Sequence, residues 1–252
     1  MESHRCHDYH HLIRRWRSLC RRRGLKIAPC AKADGYTCHE IVAPGFAAAR
    51  QGIYISAGIH GDEPAACEGL IAWAERTARD LASLPLLIYP CLNPWGLVNN
   101  CRTDSTQRDL NRVWDDPPTD LIRHITQRIA GREFALALTL HEDYDGQGLY
   151  IYEPGARRGR QSWGGSLLAS AASQLPADGR ATIDGRRARA GLIRPRVGDA
   201  LRTSQPEAVY LHLHHARRTY TFETPSEFAL DRRVAAQAAL IDKSLDLLES
   251  AD

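Results

Sequence analysis

The sequence predicts a single α/β domain with a mixed, mostly parallel central sheet flanked by helices. Strand-like apolar runs alternate with helical runs along the chain, the pattern of a sheet covered on both faces. The runs LLIYPC (86–91) and FALALTLH (134–141) are continuously apolar rather than alternating, as in strands buried on both sides. The 252 residues, 43% hydrophobic and 25% charged, are enough for one generous α/β core. Internal repeats and Gly/Ser linkers are absent, which favours one domain over two.

Each element has a local reason. In 12–23, Leu12, Ile13, Trp16, Leu19 and Cys20 form one apolar stripe at helical spacing, with arginines opposite. Residues 35–43 and 51–57 read as strands. The second stops at GIHGDEP, where Pro64 opens a helix reaching about Arg79, as proline does in a first turn. After the 86–91 strand comes a polar loop, Asn93 to Pro118, long enough to be functional. A helix over 119–130, the strand 134–141, a short strand at 148–153 and a helix at 163–175 follow. Residues 155–205 are rich in Gly and Arg with weak periodicity and read as an irregular insertion. Two further strands at 208–214 and 218–223 precede a long amphipathic helix, 230–249. The domain reading is a basic N-terminal helical extension over 1–30 and one main domain over 31–252.

Composition excludes several classes. No apolar run approaches the ~18–20 residues of a membrane span, and Met1–Gly24 carries Arg and His where an export signal is apolar. The net charge of +3 is too mild to imply a nucleic-acid partner, although residues 1–30 hold eight Lys/Arg against two acids. All seven cysteines lie in the first 101 residues and none is spaced CxxC. They read as free thiols of a reducing cytoplasm, not as a disulfide framework or a zinc ribbon.

In parallel sheets ligands bind beyond the carboxyl ends of the strands. Polar residues converge there: His60 and Glu63 after 51–57; Arg102, Asp109, Asn111 and Arg112 after 86–91; His141 at the end of 134–141; Glu223 at the end of 218–223. Charged groups at such positions must be paired or ligated. His60 and Glu63, as H-x-x-E in a glycine-rich turn, can reach one cation. With His141 they make a His2Glu set that leaves a fourth tetrahedral position open, as catalytic zinc requires.

GIHGDEPAACEGL, LNPWGLVNNCRTDSTQRDLNR, TLHEDYD and TFETPSEF, in that order, resemble the zinc carboxypeptidase family. Its superfamily also holds the aspartoacylase and succinylglutamate desuccinylase amidases. The resemblance runs from about residue 51 to the C-terminus, with a gap over 155–205, and RDLNR is its most specific part. It implies a carboxypeptidase-like (phosphorylase/hydrolase-like) fold, with 31–252 as the catalytic domain and one zinc ion per chain. His60, Glu63 and His141 match the zinc ligands, Glu223 the general base and acid, and Arg102 the group that holds the oxyanion. Asn111 and Arg112 match the pair that grips a substrate's terminal carboxylate, and Asp109 the acid behind the first histidine.

The expected activity is therefore that of a metallocarboxypeptidase, a zinc-dependent hydrolase of an amide bond next to a free carboxylate. The expected partner is a small peptide or acyl amino acid. An N-acyl amino acid amidohydrolase of the aspartoacylase/desuccinylase type is the alternative. Its relatives carry a β domain for which the 29 residues after Glu223 leave little room. Two departures stand out. Glu142 and Asp143 follow His141 where the family carries a small polar residue and a tyrosine; they either favour a cationic substrate group or cap a loop. The family tyrosine before the catalytic glutamate has no clear match, and Tyr210 and Tyr220 read better as core. His212 and His214 read as one face of a half-exposed strand, not as a second metal site.

Overall fold

A computed structural model of the chain describes residues 5–115, 119–155, 161–195 and 205–251. Helix α1 (Tyr9–Arg23) is capped by the Asp8 side chain at its start and by left-handed Gly24 at its end. Its apolar stripe, Leu12, Ile13, Trp16, Leu19 and Cys20, is buried in the main core, so the helix packs onto the sheet's body. Strands β1 (Lys26–Ala33) and β2 (Tyr36–Val42) form an antiparallel hairpin. β1 was not legible in the sequence. No position along it is fully buried, so it carries no apolar run to read. A short helix α2 (Pro44–Ala48) then leads to β3 (Gln51–Ala57), helix α3 (Pro64–Arg76) and strand β4 (Leu86–Tyr89).

The expected loop 93–118 is partly ordered. Asn93 caps helix α4 (Pro94–Asn99), and a single 3-10 turn spans Leu110–Arg112; 116–118 lie outside the described residues. Helix α5 (Asp120–Ile129), strand β5 (Glu133–Asp143), strand β6 (Tyr150–Tyr152) and helix α6 (Gly164–Ser170) fall where the periodicity places them. The described part of 155–205 is less irregular than expected. It supplies β7 (Thr182–Ile183), β8 (Arg186–Arg189) and β9 (Leu192–Ile193), too short to show alternation in the sequence.

One expectation is overturned. Residues 208–214 are not a strand but part of helix α7 (Glu207–His214). The alternation VYLHLH mimics a half-buried strand. The buried positions, however, are Glu207 and Leu211, four apart, which is helical spacing. His212 and His214 therefore do not share a strand face. Strand β10 (Thr219–Pro225) and helix α8 (Leu230–Glu249) close the chain, the helix with the bounds its amphipathic pattern predicts.

The ten strands of the described residues form one sheet in the order β1-β2-β4-β3-β5-β10-β6-β9-β8-β7. Its centre, β4-β3-β5-β10, is parallel, and β2 and β6 join it antiparallel on either side. Helices α1, α3, α6 and α8 supply buried side chains to the main core cluster, and α5 and α7 to a second. Both faces are thus covered, as a central parallel sheet requires. The mixed, mostly parallel α/β architecture is the one predicted. Among the described residues, no helix is long and apolar enough to cross a membrane.

Candidate metal centre and catalytic cleft

The turn after β3 is shaped by its contacts. Gly58 takes a left-handed conformation (φ +64°), and a Cβ on Gly61 would lie 1.9 Å from the backbone of Gly96 on α4. Gly61 also donates its backbone N–H to the Cys101 carbonyl (3.0 Å). This seats His60 at the carboxyl end of β3. Glu63 is the N-cap position of α3 and Pro64 its first residue, so the His60–Glu63 spacing and the helix start are one feature.

His60, Glu63 and His141 are all buried, and one donor atom from each lies within 4.8 Å of the other two. His60 Nδ1 donates to Glu63 Oε1 (2.5 Å) and His141 Nδ1 to Glu63 Oε2 (2.9 Å). The second nitrogen of His60 faces Asp109 Oδ1 at 3.2 Å. Burial opposes charge on His60, but the Glu63 carboxylate and the Asp109 hydrogen bond outweigh it and raise its pKa to about 9. Burial opposes charge on Glu63 too, and the two histidines outweigh it, bringing that carboxyl down to about 2. Charges gathered in a buried pocket without net neutralisation by packing are what a cation site looks like when its donors face one another. A zinc ion fits this donor set. Two imidazole nitrogens and one carboxylate converge, and a carboxylate behind His60 fixes the ring with Nδ1 pointing inward. If this donor set holds a metal, removal of the Asp109 carboxylate (Asp109→Ala) is expected to weaken its binding by about 10–100-fold, measured by competition against a chromophoric chelator.

Asp109 has two further tasks. Its Oδ2 accepts from Nε and Nη2 of Arg102 (3.2 and 3.1 Å), which sets Nη1 3.6 Å from Glu63 Oε1. Its Oδ1 accepts from the Asn111 backbone (2.9 Å) and starts the 3-10 turn. Asn111 Oδ1 in turn accepts from the Glu207 backbone N–H (2.8 Å). That engages its carbonyl oxygen and leaves its amide N–H groups as donors. Arg112 is exposed and donates to the Asn111 carbonyl (2.8 Å).

Glu223 is placed by register. On β10 it pairs with His141 of parallel β5 on one side and Tyr150 of antiparallel β6 on the other. It is the one residue of β10 that is half-buried where its neighbours are fully buried, and it lines the cleft. Burial, with the charges of Glu63 and Asp143, pushes its pKa up to about 8, against the pull of His141 and Arg102. A carboxyl tuned that high is suited to taking and returning a proton near neutrality.

A cleft of about 600 Å³ joins these groups, and His60, Glu63, His141, Arg102, Asn111, Arg112 and Glu223 all line it. Asp109 is not among the lining residues and stands behind His60. The arginine-rich stretch 180–202 reads from sequence as a solvated surface or an anion-attracting rim, and its Arg180 and Arg186 form part of the cleft wall; sequence reasoning missed Tyr150 and Tyr152 beside them. Tyr150 donates to Asp143 (3.0 Å) and Tyr152 to Asp184 (2.9 Å). The signal available was their period of two beside the Glu223 strand.

The two departures resolve differently. Glu142 points into the protein, accepts from the Ala65 N–H at the start of α3 (2.6 Å) and pairs with Arg233 of α8. Its geometry is that of a helix cap. Asp143 holds Tyr150 at the cleft edge. Tyr210 packs on Trp114, while Tyr220 stacks on Trp163 and donates to Glu153 (3.0 Å). Neither lines the cleft. Of the histidine cluster, only His212 reaches the cleft wall; His214 and His215 pack on Tyr210.

Residues 49–144 match the succinylglutamate desuccinylase/aspartoacylase catalytic domain, a span that runs from before His60 to just past His141. No curated protein sequence matches the chain. Among solved structures, a candidate metallopeptidase of Shewanella amazonensis SB2B superposes with a TM-score of 0.83 at 23% identity, over 96% of this chain and 94% of that one. A metallo-carboxypeptidase of Burkholderia cenocepacia gives 0.66 at 15% identity, over 97% and 70%. The carboxypeptidase A of Helicoverpa armigera gives 0.67 at 14%, over 96% and 73%. At these identities the likeness is one of fold, and the fold is carboxypeptidase-like. The family match thus covers the segment holding His60, Glu63 and His141, and over the rest of the chain the likeness is one of fold.

Proposed function

We propose that the protein is a zinc-dependent metallopeptidase of carboxypeptidase type, hydrolysing an amide bond next to a free carboxylate. The observation that carries this reading is the register pairing of Glu223 with His141, which sets a high-pKa carboxyl beside a buried His2Glu donor set in one cleft. His60, Glu63 and His141 would hold one zinc ion. When bound, zinc supplies Lewis acidity that lowers the pKa of water toward ~7. Glu223 takes a proton from the attacking water at its carboxylate and returns it to the leaving nitrogen. Arg102, held by two N–H groups on Asp109, offers its remaining donors to the developing oxyanion. Asn111, through its amide N–H groups, and Arg112, through its guanidinium fork, bind the substrate carboxylate. The seven free cysteines support a reducing, cytoplasmic setting.

The match of residues 49–144 to the desuccinylase/aspartoacylase domain favours a second reading, an N-acyl amino acid amidohydrolase using the same residues. The two separate on substrate. A panel of C-terminal dipeptides assayed beside N-acetyl- and N-succinyl-amino acids is expected to show hydrolysis of dipeptides. Turnover of the acyl amino acids alone would replace the peptidase reading with the amidase one.

A further inference from the structure

Helix α1 and the β1–β2 hairpin border a second hollow, of about 430 Å³, which is open to solvent on the side of the exposed Arg14 and Arg17. It lies toward the β1 edge of the sheet, whereas His141 and Glu223 sit on the β5–β10 pair. Its size falls within the ~300–1,000 Å³ of small-molecule sites. His10, Arg14 and Arg17 line it from one face of α1, and Tyr9, Tyr36 and His39 complete the polar and aromatic wall.

Positive charge predominates in this hollow. Among the described residues no carboxylate lines it, and Asp8 acts on Arg14 through its charge without an ion-pair contact. Between Arg5 and Ala33 the chain carries a single acid, Asp8, whose side chain is taken by the His11 N–H. The next acid, Asp34, bonds Ser105. Arg15, which turns to the other side of the helix, pairs with Glu68 and Glu75. Arg14 and Arg17 have no such partner among the described residues.

What Arg17 does have is a neutral anchor. The Tyr9 hydroxyl donates to the Thr37 carbonyl (2.7 Å), so it accepts from His39 Nδ1 (3.1 Å). That fixes the tautomer and leaves the His39 Nε2 lone pair to accept from Arg17 (3.3 Å). His39 is buried, and the chain from Thr37 through Tyr9 and His39 orients the guanidinium without neutralising it. A fork held this way keeps most of its N–H donors for an oxyanion. Tyr36, edge-on to Tyr9 at 5.8 Å and 6.2 Å from the His10 ring, gives an aromatic surface beside the arginines.

We propose that this hollow is a second ligand site, for a phosphomonoester with an aromatic body. The phosphate sits between Arg14 and Arg17, and the ring packs against Tyr36 and His10. Two guanidinium groups one helical turn apart match a dianion better than a single carboxylate. The proposal does not depend on the chemistry assigned to the cleft.

Calorimetric titration of the full chain with phenyl phosphate tests it, beside inorganic phosphate and vesicles containing phosphatidic acid. Saturable one-site binding of phenyl phosphate is expected, tighter than inorganic phosphate and weaker at higher salt. The Arg14→Gln/Arg17→Gln double variant is expected to lose affinity by about tenfold or more, with an unchanged melting temperature and unchanged cleft activity. Absence of saturable binding overturns the proposal. So does equal affinity in the double variant, which would put the phosphate in the metal cleft. Binding of the vesicles but not of phenyl phosphate overturns it in favour of a lipid headgroup.

Discussion

Glu223→Gln is expected to lower turnover by about 10²–10⁴-fold, the range of a lost general base, with zinc content unchanged. Glutamine keeps the shape of the side chain but cannot take a proton, and Glu223 is not one of the three converging donors. Stability moves the other way. With the metal stripped, burial raises the Glu223 pKa from its ordinary 4.5 to about 8. The native state therefore holds this proton over a window in which the unfolded chain has released it. Its contribution to stability declines as pH rises from about 4.5 to 8, and above that the buried charge destabilises the fold. Metal-stripped Glu223→Gln should accordingly melt no lower than stripped wild type at pH above about 8. Steady-state kinetics and melting curves on the same preparations check both. A variant that loses stability in step with activity would make Glu223 a packing residue.

His141→Ala is expected to abolish metal retention and, with it, turnover. Losing the outer partner of a ligand typically costs about 10–100-fold in affinity, and losing one of three protein ligands costs more. The substitution also leaves Glu63, buried at 2% exposure, with His60 as its only imidazole partner. Because His141 is the register partner of Glu223, the same change opens the floor of the cleft.

Much of this was legible in the sequence because the chemistry is local. H-x-x-E sits in a turn between a continuous apolar strand and a proline-opened helix, so the strand end, the helix start and two candidate ligands are written in one short segment. His141 and Glu223 each end an apolar run, and a parallel sheet brings such ends together. What escaped depends on long-range pairing. β1 has no fully buried position, and β7–β9 have two to four residues each, so neither carries a periodic signal. In α7, alternating His and Leu imitate a strand while burial follows helical spacing. Glu142 could not be assigned as a helix cap, because its partners, Ala65 and Arg233, lie 77 and 91 residues away.

The metal content of purified wild type and His141→Ala, determined side by side by mass spectrometry, tests the central claim most directly. About one zinc per chain in the wild type and essentially none in the variant is the predicted result for a single-site zinc enzyme. A wild type without bound zinc, or a variant that retains it in full, would contradict the assignment of His60, Glu63 and His141.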